Sequence, residues 1–214
     1  MSTWIDLVLI LLVLSDFALL GSSRLGACIR FVAVQGVLLG ALTLAAHEET
    51  TSLRPVILAV LSVGLKGAAF PWLLLRALRE ANIRREIEPF VGYTLSLLIG
   101  AVALGSSLWL SSRLPLPTPP VSSLLVPVAF FTSIVGLFLI ISRKKALTQV
   151  LGYLVLENGI YAFGVGTVQQ TPMLVELGVL LDVFVAVFVM GITVFHINRQ
   201  FDHIDTDRMA VLKD

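Results

Sequence analysis

The chain has 214 residues, 57% of them hydrophobic and 14% charged, with a net charge of +1. A mean hydropathy of +0.96 excludes an ordinary soluble domain, in which about a quarter of the residues are charged, and the near-neutral balance gives no reason to expect nucleic acid. One cysteine, Cys28, excludes an internal disulfide and any CxxC metal or iron–sulfur site.

In chain order, about seven apolar stretches approach the length that crosses ~30 Å of hydrocarbon. They cover 3–21, 26–46, 55–79, 90–110, 124–142, 146–168 and 172–196. The fold class expected is therefore an all-α, polytopic integral membrane protein. The first stretch has no Lys or Arg before Arg24 and runs on to Gly21 without a small-x-small cleavage pattern. It is expected to be a retained helix rather than a secretory signal. His47 to Ser52 divides the second stretch from the third, and Arg84 to Pro89 divides the third from the fourth. The proline-rich run from Leu114 to Pro120 predicts a stiff extended loop. Thr171-Pro172 reads as an N-cap followed by proline in the first helical turn.

Charge distribution orients the expected bundle. With seven spans and the N-terminus outside, the outer loops hold only Arg54 and Arg113, and Lys66 lies within a span. All other Lys and Arg fall on the cytoplasmic side, as the positive-inside rule requires. A six-span arrangement would spoil this alternation. The polar tail 198–214 is expected to be a cytoplasmic end. The natural divisions are 1–122, a four-helix membrane region, 123–197, a three-helix membrane region, and 198–214, the tail.

Charges inside a membrane are rare, and they mark ion pathways or paired interior sites. At ~1.5 Å per residue, Glu157 lies about 16 Å past Ala146, Asp182 about 15 Å past Pro172 and Lys66 about 16 Å past Pro55. Three ionisable groups on three stretches thus share one depth. Glu176, about 6 Å past Pro172, points to a different side of its helix from Asp182 and benefits from the helix N-terminal dipole. A carboxyl group in a poorly hydrated site favours protonation, whereas a nearby ammonium favours ionisation. A proton relay is the functional reading of these four residues; a structural ion pair or a subunit contact is the bland one. Gly64, Gly67 and Pro71 flank Lys66. They weaken the helical ladder there, or serve only helix packing through small residues.

The remaining polar positions carry less. Gln35 and Asn158 either hydrogen-bond across helices or line the same wet path. Tyr161, one turn after Glu157, can reach it. His196 at the cytoplasmic end either passes protons or rests at the interface. Asp6 and Asp16 are read as solvated span ends and Cys28 as a packing residue. The histidines, His47, His196 and His203, offer no intramembrane pair for a haem. No metal, cofactor or catalytic residue is expected in this chain.

Several stretches carry a family resemblance: Lys66 to Pro71, Gly152-Tyr153 with Glu157-Asn158-Gly159, Leu174 to Gly178 with Asp182, and the tail ending Leu212-Lys213. Through them the chain resembles hydrogenase-4 component E, a membrane subunit of group 4 [NiFe]-hydrogenase complexes of the formate hydrogenlyase type. The last three stretches also resemble the three-helix subunit K of respiratory complex I and its counterpart in multi-subunit cation/proton antiporters. That family places a mid-membrane glutamate on each of two helices. Aligning Gly152 and Asn158 puts the first of these at Leu154, whereas the acid here is Glu157, one turn along roughly the same face. The second falls at or near Asp182.

The resemblance implies a non-redox membrane-arm subunit in a bacterial inner membrane. Its partners would be antiporter-like subunits and a peripheral hydrogenase-type arm, which would hold the [NiFe] centre and iron–sulfur clusters. Glu157 and Asp182 would exchange protons and Lys66 would tune them. Proton and sodium both remain open as the ion. A structural scaffold subunit and a self-contained transporter are the alternatives; the latter is disfavoured by the lack of a clear internal repeat.

Overall fold

A computed structural model describes residues 2–46, 59–60, 63–80, 90–115 and 121–167. Helix α1 covers Ser2–Gly21 and α2 covers Leu25–Ala46. A π-helical segment, Val63–Ala69, runs directly into α3, Phe70–Glu80. Helix α4 spans Tyr93–Ser111, α5 Leu125–Ser142 and α6 Ala146–Thr167. Among the described residues there is no β-strand. Hydrocarbon offers backbone groups no partner, so a spanning segment must satisfy them internally, and a helix does this within one segment.

Four of these helices are long and apolar enough to cross a membrane: 3–21 in α1, 25–45 in α2, 93–111 in α4 and 125–142 in α5. Several of their hydroxyl residues bond back to their own helices. Thr43 donates to the Leu39 carbonyl at 2.9 Å, Ser107 to Ala103 at 2.8 Å and Ser133 to Ala129 at 2.9 Å, so none of these hydroxyls meets lipid unpaired. Helix α6 is as long as α2, 22 residues, but is more polar because it carries Gln149, Glu157 and Asn158. The seventh apolar stretch, 172–196, and the tail lie outside the described residues, as do Glu176, Asp182 and His196.

The third stretch, expected to span 55–79, is not regular α-helix throughout. Its backbone is π-helical around Lys66 and α-helical from Phe70 onward. Pro71 has no N–H to return to the carbonyl one turn earlier, and glycines at 64 and 67 loosen the same turns. Wide π turns of this kind occur often at functional sites.

Short corners set the packing. Residues 22–24 reverse the chain between α1 and α2, where the Arg24 amide donates to the Ser22 hydroxyl at 3.3 Å. Residues 143–145 reverse it between α5 and α6, where the Gln149 amide donates to the Arg143 carbonyl at 3.1 Å. The Phe90 amide donates to the Ser142 carbonyl at 3.0 Å, which brings the start of α4 to the same face. At the opposite face the Ser122 hydroxyl donates to Asp6 at 2.5 Å, tying the entry to α5 to the beginning of α1.

Helix α5 is central, with 61% of its span buried within the protein, whereas α4 is peripheral at 17%. Two apolar clusters fill the interior. One gathers Ile29, Leu74, Phe131 and Leu154, with Phe17 and Phe131 ring centroids 5.3 Å apart. The other gathers Leu9, Leu39, Leu125 and Ala162. Each draws side chains from both sides of residue 122.

Glycines let α5 and α6 approach almost backbone to backbone. A Cβ on Gly136 would collide with the backbone amide of Leu156 and lie 2.7 Å from the Gly152 carbonyl oxygen; one on Gly152 would lie 2.9 Å from the amide of Ile140. Where lipid is as apolar as leucine, such close contact is the main source of helix association. Gly136→Ala is therefore expected to lower the stability of the purified protein by about 1–3 kcal/mol, the usual cost of overpacking. Gly105→Ala on α4, where a Cβ meets nothing within 4 Å, is expected to be neutral or slightly stabilising. Unfolding both variants in a denaturing-detergent titration checks the contrast.

Candidate functional site

The π-helical segment delivers the Lys66 ammonium into the interior. There Nζ lies 2.7 Å from Glu157 Oε1 of α6, and both side chains are about 5% exposed or less. Nζ also donates to Asn158 Oδ1 at 3.4 Å and sits 5.1 Å from the centroid of the Tyr161 ring. The close approach depends on Gly36 of α2, where a Cβ would fall 2.7 Å from the Lys66 Cβ and carbonyl carbon. Gly159 keeps α6 equally close to α5, since a Cβ there would lie 2.6 Å from the Ser133 amide.

The ion pair is one end of a longer polar chain. Asn158 Nδ2 donates to Gln35 Oε1 at 3.2 Å. Gln35 Nε2 donates to Asp16 Oδ1 at 2.7 Å and to the Ser15 hydroxyl at 2.8 Å, which in turn donates to the Leu12 carbonyl at 2.7 Å. Thr132 Oγ1 donates to Asp16 Oδ2 at 2.7 Å. Gln35 and Asp16 have no exposed surface. On the other side of the pair, the Tyr161 hydroxyl meets Thr43 Oγ1 at 2.9 Å. Residues from α1, α2, the π segment, α5 and α6 thus share one buried network.

Lys66 is a donor only and a carboxylate an acceptor only, so they fix the direction of both amides between them. Asn158 must turn its oxygen to Lys66 and its nitrogen to Gln35, and Gln35 must do the same toward Asp16. Glu157 Oε2 is the exception in this satisfied network, buried with no hydrogen-bond partner among the described residues. An unpaired buried polar atom carries its full desolvation cost, and here it belongs to a group that can bind a proton.

The structure brings together Lys66, Glu157, Asn158, Tyr161 and Gln35 of the residues singled out in the sequence. Gln35 and Asn158 bond to each other across α2 and α6. Tyr161 turns its hydroxyl to Thr43 and its ring to Lys66. Asp16 corrects the sequence expectation: it is wholly buried rather than a solvated span end. It lies five residues inside the end of α1, roughly 7–8 Å deep at ~1.5 Å per residue. Side chains on a helix lean toward its N-terminus, which for Asp16 means toward mid-membrane. That lean was the available signal. Thr132, Ser15 and Thr43 left none, since serine and threonine are common in membrane helices for packing alone.

Arg143, expected on the cytoplasmic side, is also buried. Its Nη2 donates to the Leu20 carbonyl at 3.0 Å and its guanidinium lies 4.6 Å from the Tyr93 ring centroid. It pins the end of α1 to the α5–α6 corner, away from the Lys66 network. Cys28 is buried, in keeping with its reading as a packing residue.

Apolar spanning helices around a buried cation–carboxylate network define an α-helical membrane protein with an interior polar site. The chain is 32% identical over 204 residues to the uncharacterized protein Rv0085 of Mycobacterium tuberculosis, covering 95% of this chain and 93% of that one, and it belongs to the same family. A stretch of 101 residues is also 32% identical to hydrogenase-4 component E of Escherichia coli K12, covering 47% of this chain and 46% of that one. The same figures hold for hydrogenase-4 component E of Shigella flexneri. The chain therefore spans about half the length of these hydrogenase-4 relatives. No protein-family model matches the chain, and no solved structure matches it.

Removing one partner of a buried pair strands the other charge and costs about 3–5 kcal/mol, whereas replacing both often costs little. Lys66→Met is accordingly expected to destabilise the protein more than the double change Lys66→Met with Glu157→Gln. A double-mutant cycle on the melting of the solubilised protein measures the difference. A double variant whose loss equals the sum of the losses of Lys66→Met and Glu157→Gln alone would show that the pair is not coupled.

Proposed function

We propose that this chain is a non-catalytic membrane-arm subunit of a hydrogenase-type redox complex, and that Lys66 and Glu157 form an exchange site on its ion path. The observation that carries the reading is the 2.7 Å pair between Lys66 and Glu157, deep in the protein, with Glu157 Oε2 left without a partner among the described residues. Similarity over half the chain to a protein named as a hydrogenase-4 component supports the choice of complex. The redox centres belong to partner subunits in this reading. Antiporter-like membrane subunits and a peripheral hydrogenase-type arm are the partners, and the bacterial inner membrane, with the N-terminus outside, is the location.

The chemistry follows from the pair. With Lys66 against Glu157, each charge compensates the other. A conformational change that draws the ammonium toward Asn158 leaves a carboxylate uncompensated in a poorly solvated interior, and binding one proton at Glu157 removes that charge. Return of Lys66 restores the ion pair and releases the proton. Opening of the π turns around Lys66 is a small backbone adjustment that moves this one side chain. Asp182 and Glu176 are assigned to the continuation of the path, and Asn158, Tyr161 and Gln35 to positioning. His196 is assigned to the cytoplasmic exit.

Two measurements test the reading. Purification of the tagged full chain from native membranes in mild detergent is expected to bring down antiporter-like subunits with a nickel-ligating large subunit and iron–sulfur subunits. Recovery of the chain alone, stable and monodisperse, would move the self-contained transporter to the front. In the assembled complex, Glu157→Gln is expected to abolish ion pumping by membrane vesicles while dye reduction by the peripheral arm stays within about twofold of the unaltered complex, because an isosteric neutral side chain keeps the packing but cannot bind the proton. Full pumping in an assembled Glu157→Gln complex would leave the scaffold reading in its place.

A further inference from the structure

Among the described residues, the buried network contains one ammonium and two carboxyl groups. Lys66 faces Glu157 directly, and it faces Asp16 through the two amides of Asn158 and Gln35. The amides are aligned head to tail, each donating toward Asp16 and accepting from the lysine side. Both Asp16 oxygens accept hydrogen bonds, from Gln35 and from Thr132. Gln35, Asp16, Lys66, Glu157 and Asn158 are all buried to 5% exposure or less. With each of these groups ionised, the cluster would hold one net negative charge in a buried site. Uncompensated charge in such a place is among the most costly features a membrane protein can carry.

We propose that Asp16 is the second counter-ion of Lys66, and that Asp16 and Glu157 together hold one exchangeable proton against that single ammonium. The proton belongs to the pair of carboxyl groups rather than to either one, as it does for coupled acids in general. Bound, it leaves the cluster neutral, with one ammonium, one carboxylate and one carboxylic acid. The aligned amides do not carry the proton. They transmit charge: when the proton sits on Glu157, Lys66 is compensated by Asp16 through the bridge, and when it sits on Asp16, Lys66 is compensated by Glu157 in direct contact. Asp16 is thereby a second proton-holding residue of the exchange site, and it makes the N-terminal helix part of that site.

This deepens the reading of Lys66 and Glu157 as an exchange site, and its test does not depend on pumping. The carbonyl stretch of protonated carboxyl groups, identified by its shift in heavy water, is read by infrared spectroscopy on the full chain in its complex or in lipid. Charge balance predicts that Asp16→Asn and Glu157→Gln each remove one equivalent of this band, and that the double variant removes no more than either single change. Losses that add in the double variant, or a band untouched by Asp16→Asn, would overturn the proposal, because independent acids lose only their own signal. An ordinary loss of structure is separated by Lys66→Met. Without the ammonium both carboxyl groups must be neutral, so the band is expected to gain one equivalent, and an unchanged band there would equally overturn the shared proton. Normal pumping in Glu157→Gln with the infrared pattern intact would refute the transport role alone.

Discussion

A lysine in the interior of a membrane protein has no water to turn to, and this constraint organises the structure. The ammonium of Lys66 must find its counter-charge and its hydrogen-bond acceptors in other helices. Glu157 and Asn158 supply them from adjacent positions on α6, and Gln35 and Asp16 continue the chain into α2 and α1. The approach requires helices with little side-chain bulk at the crossing points. Gly36 lies against the Lys66 backbone, and Gly136, Gly152 and Gly159 bring α5 and α6 together at the level of Glu157. Small residues and buried charges are therefore two parts of one solution: the glycines close the distance, and the polar groups hold it.

The network also explains why the backbone is irregular where it is. A straight α-helix through residues 55–79 would place Lys66 by helical periodicity alone. The π turns around it widen the helix locally, and the side chain reaches the junction of α2 and α6. Nearly all members of the cluster are paired, which favours a single arrangement of five chain segments. The Glu157 oxygen that has no partner among the described residues is the place where, in the proposed reading, this arrangement responds to a proton. A site built in this way couples helix packing to charge, because any change in the charge of one member alters hydrogen bonds on several helices at once.

Much of the architecture was legible in the chain of residues. Apolar stretches of membrane length, separated by charged or proline-rich breaks, are a strong signal because the thickness of hydrocarbon sets a narrow length. The limits expected for the first, second, fifth and sixth stretches agree with α1, α2, α5 and α6 to within one residue. The depth argument singled out Lys66 and Glu157, since a shared depth is a matter of counting residues along helices. Asp16 was misjudged because counting gave it a place near a helix end, where water is the usual partner. Its lean toward mid-membrane and the hydroxyl waiting on Thr132 are matters of direction and neighbours. The burial of Arg143 was not legible either: a basic residue beside Lys144 and Lys145 gives no sign that its guanidinium folds inward onto Leu20 and Tyr93.

The sequence by itself determined the solvent of this protein, the lengths of α1, α2, α5 and α6 and the presence of costly charges within apolar stretches. These depend on composition and on distance along one chain segment, which the order of residues records directly. Only the tertiary structure decided which charges meet. Pairing depends on the rotation of each helix about its axis, on the closeness that glycine contacts allow and on the π turns that re-aim Lys66. These are properties of helices packed against one another, so the partnership of Asp16 with Lys66 through Gln35 and Asn158 came into view only once the helices were in place.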